Sequence, residues 1–99
     1  MYGVEPGSAL EKKLRALFVK GNSNAAQQFN EFLQEGDLHS AYALAHTIKT
    51  SALLINKTTL SDISTQLEHL LKNKEQLPPE LCNQFAQEMA AVLAELIQD

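Results

Sequence analysis

A histidine and a lysine three residues apart are the residues of this sequence best placed to do chemistry. His46 and Lys49 are one helical turn apart, so on a helix both side chains project from the same side. At about 100° per residue, His46 points about 140° away from the centre of the segment's apolar arc. That arc, which we predict to be buried, contains Ala41, Ala45, Ile48, Ala52 and Ile55. The pattern therefore predicts an exposed imidazole beside an ammonium group.

An exposed imidazole can act as a base, a metal ligand or a nucleophile. A catalytic base needs a partner nucleophile and a pocket, and a bundle with short loops offers little pocket. A metal site needs more ligands, but His39 lies seven residues away and no cysteine or third histidine joins the pair. A neutral imidazole nitrogen can attack phosphorus, while the Lys49 ammonium offsets charge on the phosphoryl oxygens. The residue types favour phosphoryl transfer, and we expect no metal or cofactor in this chain.

Three further residues surround this pair on the same face of the predicted helix. Tyr42 precedes His46 by one turn, Thr50 follows it by one turn, and Leu53 follows by about two turns. A solvated helix face does not need apolar groups beside its charges, and such groups are typical of a docking surface. We predict that Tyr42, Thr50 and Leu53 contact a partner. Packing of Tyr42 and Leu53 on an adjoining helix is the alternative.

Length, charge and composition limit the class of protein. The chain has 99 residues, enough for one domain, and 44% of them are apolar. A net charge of −4 argues against a general nucleic-acid binder, which needs a basic face. No apolar run is long enough to span a membrane, no signal peptide opens the sequence, and the single cysteine, Cys82, fits a reducing compartment. We therefore expect a cytoplasmic protein without a nucleic-acid partner or direct membrane contact.

Breakers and capping residues divide the chain into a lead-in and five helical segments. No periodic pattern covers residues 1–7, which we predict to be a disordered lead-in to a folded domain at 8–99. Ser8 with Glu11 matches a capping box, and Asp37 is a good N-cap for a third helix. The helices are predicted at about 8–21, 23–35, 38–55, 59–72 and from Pro79 onwards. Their short connections predict an all-α fold, an antiparallel up-down four-helix bundle with an additional short N-terminal helix.

The spacing of apolar and charged residues predicts which side chains are buried. In the first helix the predicted inward stripe is Leu10, Leu14, Leu17 and Phe18, and in the last helix it extends to Leu96 and Ile97. Cys82 is predicted to be buried and inert, because no base or cation lies near it in the sequence. Four glutamates are predicted on solvated faces: Glu31, Glu35, Glu68 and Glu75.

Residues 46–52 read His-Thr-Ile-Lys-Thr-Ser-Ala. This segment resembles the motif of the histidine phosphotransfer (HPt) domain family, usually written His-x-Leu-Lys-Gly-Ser-Ala. The residues that add to the resemblance are Asp37 after a glycine, Ala45 before the histidine, Leu60, and the pair Leu67-Glu68. The strong part covers about residues 36–71, and the whole chain fits that family's bundle of helices.

The resemblance implies a specific function. Domains of this family carry a phosphoryl group on the histidine, here His46, and relay it between aspartates of response-regulator receiver domains. They have no kinase activity of their own, and Mg²⁺ is expected on the partner receiver. A hybrid sensor kinase, in the same or another chain, is a further implied partner, and we expect this chain to be a piece of a longer protein.

Two residues depart from the family's pattern. Thr50 stands where the family has a glycine that keeps the space beside the histidine clear for the receiver. A threonine hydroxyl can fold back onto the carbonyl of His46 and so remain compact. Asn56 stands where glycine is common, and asparagine tolerates the left-handed conformation. Thr50 leaves open a second hypothesis, a helical adaptor that binds a receiver without carrying phosphate. A small helical hydrolase is the weakest alternative, because the chain has no glycine-rich phosphate loop.

Overall fold

A computed structural model describes residues 5–98, which form five α-helices and no strand. The helices are α1 (Ala9–Asn22), α2 (Ala25–Glu35), α3 (Leu38–Leu54), α4 (Thr58–Lys72) and α5 (Pro79–Gln98). The all-helical prediction and the approximate helix bounds are confirmed. With 14 residues, α1 is longer than α2, which has 11.

Capping residues fix the helix ends near the site. Asp37 Oδ1 accepts a hydrogen bond from the Ser40 amide at 3.1 Å. Hydrogen bonding from the Ser40 side chain, and then from this amide, lowers the pKa of the Asp37 carboxyl. Gly36 before it has a φ of 75°, and Asn56 after α3 has a φ of 63°. Both positions thus need the left-handed conformation, which glycine adopts freely and asparagine tolerates. The chain therefore turns sharply at both ends of α3, as predicted.

The start of α1 departs in part from the predicted capping box. Ser8 Oγ accepts a hydrogen bond from the Glu11 amide at 3.0 Å, as expected of an N-cap. The Glu11 carboxylate, however, pairs with Arg15 at 3.4 Å. Of the predicted lead-in, residues 1–4 lie outside the described residues. Residues 5–7 form a turn in which the Ser8 amide donates to the Glu5 carbonyl at 3.2 Å.

Contacts between side chains show that α3 and α4 run antiparallel, and that α4 and α5 do as well. His46 contacts Glu68 late in α4, whereas the Lys49 carbonyl, three residues further along α3, contacts Ser61 early in α4. Lys57, just before α4, donates to Glu95 near the end of α5 at 2.5 Å. In the core, the rings of Phe29 and Phe85 pack with their centroids 5.1 Å apart. α3 thus lies against α4 with its long axis reversed, which brings their side chains together at mid-helix.

The buried face of α1 differs from the prediction. Leu10 and Leu17 are 54% and 52% exposed, whereas Glu11 and Phe18 are buried. Phe18 is buried and Leu14 packs against the core, as predicted, so the inward face of α1 is rotated only in part, away from Leu10 and Leu17 and towards Glu11. This rotation buries Glu11, whose carboxylate pairs with Arg15 one turn later in the same helix. On α5, Ile97 is likewise exposed, while Leu96 beside it is buried.

Candidate functional site

His46 projects from the exposed side of α3. Its side chain is 55% exposed, while all five residues of the predicted apolar arc are at most 2% exposed. Both predictions, the buried arc and the exposed imidazole, are confirmed. Because alanines form most of the arc, α3 packs closely on its neighbours beneath the imidazole.

A carboxylate from α4 holds both site residues of α3. His46 Nδ1–H donates to Oε2 of Glu68, and Lys49 Nζ donates to Oε1 of the same group at 2.8 Å. The Glu68 side chain is only 13% exposed, so the prediction of a solvated glutamate is wrong. A proton on Nδ1 leaves the lone pair of the neutral ring on Nε2. No described residue donates a hydrogen bond to Nε2, so this nitrogen keeps its lone pair unpaired within the described residues.

The register of α4 explains why Glu68 reaches this position. Leu60 and Leu67 are fully buried and seven residues apart, so Ser61 and Glu68 flank the buried stripe on one side of the helix. Ser61 Oγ donates to the Lys49 carbonyl at 3.0 Å, which ties α4 to α3 two turns before Glu68. One feature of the sequence indicated the position of Glu68 near α3: it directly follows a leucine of the buried stripe.

Tyr42 and Thr50 flank His46 one turn to either side. The ring of Tyr42 lies nearly parallel to the imidazole, with 6.4 Å between centroids and 12° between planes. Thr50 Oγ1 donates to the His46 carbonyl at 3.1 Å, the compact arrangement predicted for this residue. Tyr42 is half-buried, so it packs on the core and also borders the imidazole.

A shallow apolar depression adjoins the site towards the end of α3. Lys49, Thr50, Leu53 and Leu54 line it, and its volume is about 380 Å³. A second depression, which shares Leu54, continues to Leu17 on α1. Leu54 is 37% exposed and Leu17 is 52% exposed, and neither was predicted as part of the docking surface. Together, these residues extend the predicted surface from the imidazole across α3 to α1.

Comparison with known families identifies the family to which this helical fold belongs. The family model described as "Hpt domain" matches residues 13–95, most of the chain. This chain belongs to the Hpt domain family. Hpt domains carry out histidine phosphotransfer in phosphorelays, where they interact with response-regulator receiver domains. Searches of curated proteins and of solved structures each found no significant match.

The other histidines of this Hpt domain have different surroundings. His69 accepts a hydrogen bond from Asn73 Nδ2 at 3.1 Å, at the C-terminal end of α4. His39 is exposed in the first turn of α3, beside Lys72 and Lys74. Within residues 5–98, no group of three or more histidine, cysteine, aspartate or glutamate side chains is arranged to hold a metal ion.

The cysteine of the Hpt domain and the length of its helices can also be compared with the predictions. Cys82 is half-buried rather than buried, and desolvation raises the pKa of its thiol. A raised pKa disfavours the reactive thiolate, in keeping with an inert cysteine. None of the helices described between residues 5 and 98 is long and apolar enough to cross a membrane.

The acidity of Glu68 makes part of the Hpt domain's stability pH-dependent. Burial acts to raise the pKa of the carboxyl, but hydrogen bonds from Lys49 and His46 outweigh it and hold the pKa below its ordinary value of 4.5. The ionised form is therefore favoured in the folded state. Its stabilisation is fully present above pH 4.5 and is lost as the pH falls through the lowered folded-state pKa.

Urea unfolding at several pH values should show this dependence. We expect the difference in unfolding free energy between the wild type and Glu68→Gln to be largest at neutral pH and to shrink in acid. Glu95→Gln is the matched comparison, because Glu95 also pairs with a lysine and has a lowered pKa but is exposed. Its difference should be smaller throughout, since water screens an exposed pair. If the difference in unfolding free energy between the wild type and Glu68→Gln did not change with pH, the lowered pKa of Glu68 would be contradicted.

Proposed function

We propose that His46 accepts a phosphoryl group from a receiver-domain aspartate and passes it to another receiver aspartate. The observation that carries the proposal is the exposed imidazole with its Nδ1–H donated to Glu68. This arrangement leaves the lone pair on Nε2, the ring nitrogen that does not face Glu68. A convex site suits a carrier, because the rest of the reaction centre arrives on the partner.

The proposed transfer is a nucleophilic substitution at phosphorus. Nε2 of His46 supplies its lone pair to form the N–P bond. The P–O bond to the donor aspartate breaks, and its electron pair stays on the released carboxylate. The Lys49 side chain is 28% exposed. Its ammonium group offsets the negative charge that develops on the phosphoryl oxygens. The reverse sequence, with a second aspartate as nucleophile, passes the group on.

The surface around His46 supports a receiver as the partner. Tyr42 borders the imidazole on one side, and Thr50, Leu53 and Leu54 line the depression on the other. Such a half-apolar, half-polar patch is typical of a transient protein interface. The Mg²⁺ needed for phosphoryl chemistry would be held by the receiver, and a hybrid sensor kinase in the same or another chain would be the upstream source.

Label transfer from a phosphorylated receiver tests the proposal. The domain is incubated with a receiver carrying labelled phosphate, and the product is treated with acid and with base. Phosphohistidine is labile in acid and stable in base, whereas an aspartyl phosphate is labile in base. A carrier acquires acid-labile, base-stable label. If the domain binds the receiver but never acquires label, the carrier proposal is wrong. The domain would then be the adaptor that was the second hypothesis drawn from Thr50.

Thr50→Gly probes the residue that departs from the family's pattern. We expect a lower melting temperature, because glycine in a helix interior costs up to about 1 kcal/mol relative to alanine. Removal of the side chain also breaks the hydrogen bond to the His46 carbonyl. Receiver affinity, measured by titration, should stay the same or increase, since the approach to the imidazole is widened. Weaker binding at full stability would mean instead that the receiver contacts the Thr50 side chain.

A further inference from the structure

We propose that one exposed side of α1 docks an acidic surface of the partner receiver, and that the lysines on this side select receivers by charge. This side, the α1 edge, consists of Leu10, Lys13, Leu17 and Lys20. The proposal rests on the proposed function, which brings a receiver to His46. It assigns a role in partner selection to residues that lie outside the reaction centre.

The spacing of the α1 edge places its four residues on one side of the helix. They follow one another at intervals of three, four and three residues, which a helix brings into line. Leu10 and Leu17 are 54% and 52% exposed, and both lysines are exposed beside them. Leucines thus alternate with charges at the surface instead of facing the core. Apolar groups in such a row are typical of a docking surface.

The charge of the α1 edge is opposite to that of the whole chain. α1 contains four basic residues and one acidic residue, Glu11, which is buried and paired with Arg15. The chain as a whole has a net charge of −4. Within residues 5–98, no carboxylate forms an ion pair with Lys13 or Lys20. Both charges are therefore open to the carboxylates of a partner.

The α1 edge continues the surface around His46. Leu17 and Leu54 line one depression, and Leu54 also lines the depression beside Thr50. Leu54 lies eight residues after His46, which is about 12 Å along the helix axis. An interface of standard size buries about 800 Å² on each partner, which corresponds to a disc of about 16 Å radius. A receiver centred on His46 would therefore cover Leu54 and meet the α1 edge at its rim.

The position of the lysines at the rim decides what they can do. Charges at the rim of an interface act mainly on the association rate and on the choice of partner. Water and salt screen such charges, so they add little to the strength of the finished complex. Lys13 and Lys20 therefore attract receivers that are acidic at this edge, and they take no part in the transfer of the phosphoryl group.

An acidic receiver surface fits the α1 edge better than a second copy of this chain does. Two copies of the edge in contact would bring four lysines together, and the edge itself holds no carboxylate. Like charges placed opposite each other cost binding free energy. A receiver surface in which apolar side chains lie between carboxylates would match both the leucines and the lysines. The α1 edge should thus favour acidic receivers over neutral or basic ones.

Association rates of charge-reversed variants test the proposal. The double variant Lys13→Glu, Lys20→Glu is compared with the wild type by stopped-flow binding to a receiver with an acidic surface. At about 0.1 M salt we expect the variant to associate about tenfold more slowly, and at about 1 M salt the difference should nearly vanish. The transfer rate at saturating receiver should be unchanged, because the α1 edge does not touch the reacting groups.

Lys12→Glu is the matched control for Lys13→Glu. Lys12 is exposed and undergoes the same change of charge, but it lines a depression with Arg15 and Leu96 on another side of α1. Lys13→Glu should slow association several-fold, whereas Lys12→Glu should associate at close to the wild-type rate. Equal slowing by the two variants would show that only the net charge matters, and the proposal would be wrong.

Variants of the receiver show whether the partner supplies the carboxylates. Its surface carboxylates are exchanged for amides in small groups, and the aspartate that carries phosphate is left intact. One group should slow association with the wild type and remove most of the difference between the wild type and Lys13→Glu. If the difference persisted with every group, no receiver carboxylate would meet the α1 edge, which contradicts the proposal.

These measurements separate the proposal from the proposed function. If the domain takes label but its Lys13 and Lys20 variants associate at the wild-type rate, the α1 edge has no role and the carrier function stands. If binding shows the expected charge dependence but no label is taken, the carrier function is wrong and the docking surface stands. Melting curves establish that each variant is folded. This matters for Lys20, because a positive charge in the last turn stabilises a helix.

Discussion

His46→Gln should abolish phosphoryl acceptance and leave the helical bundle folded. Glutamine has similar bulk but no imidazole nitrogen to attack phosphorus. The His46 side chain is 55% exposed, and substitutions at exposed helical positions usually change stability by less than about 0.5 kcal/mol. The measurement is acid-labile label after incubation with a phosphorylated receiver, alongside a melting curve.

His69→Gln is the matched control for this experiment. His69 is also an exposed histidine of the bundle, but its Nε2 already accepts a hydrogen bond from Asn73. The control should take label as the wild type does. Label on His46→Gln would place the carrier elsewhere, with His39 and His69 as the next residues to test.

Lys49→Ala should slow transfer by between about 10-fold and 100-fold while receiver binding is largely kept. Loss of one preorganised group at the developing charge often costs about 100-fold or more, and partial exposure of the site reduces that figure. The change also leaves Oε1 of Glu68 without its lysine partner. Single-turnover transfer rates and receiver affinity, measured separately, distinguish lost chemistry from lost docking.

Lys57→Ala is the comparison for the lysine. Lys57 also donates to a glutamate, but it does so at the start of α4 and towards α5. Transfer by this variant should match the wild type. If Lys49→Ala transferred at the wild-type rate, the lysine would be an ordinary surface charge held by Glu68.

Local patterns in the sequence predicted much of the site-bearing helix. The alternating spacings of four and three placed Ala45, Ile48 and Ala52 in the core and His46 outside it, because helical geometry alone decides that question. Asp37 and Asn56 marked the helix ends through hydrogen bonding and backbone preferences that act within a few residues. These features needed no knowledge of neighbouring helices.

The features that depend on helix packing were missed. Glu68 meets His46 only because α4 lies antiparallel against α3 in one register, which a pattern within α4 does not specify. The rotation of α1 was missed for the same reason. Leu10 and Leu17 fit a buried stripe as well as Phe18 does by spacing, and the shape of the neighbouring helices decides which of them is buried. Leu54 and Leu17 consequently joined the surface near the site.

The hydrogen bond from Ser61 to the Lys49 carbonyl bears on how a partner would detect the proposed phosphoryl group. It fastens the backbone of α3 to α4 one turn after His46, and buried alanines pack closely beneath the helix. If His46 carries the phosphoryl group as proposed, we expect the backbone of α3 to stay in place when the group arrives. A partner would then detect the group by direct contact with His46, and not through a change in the shape of the bundle.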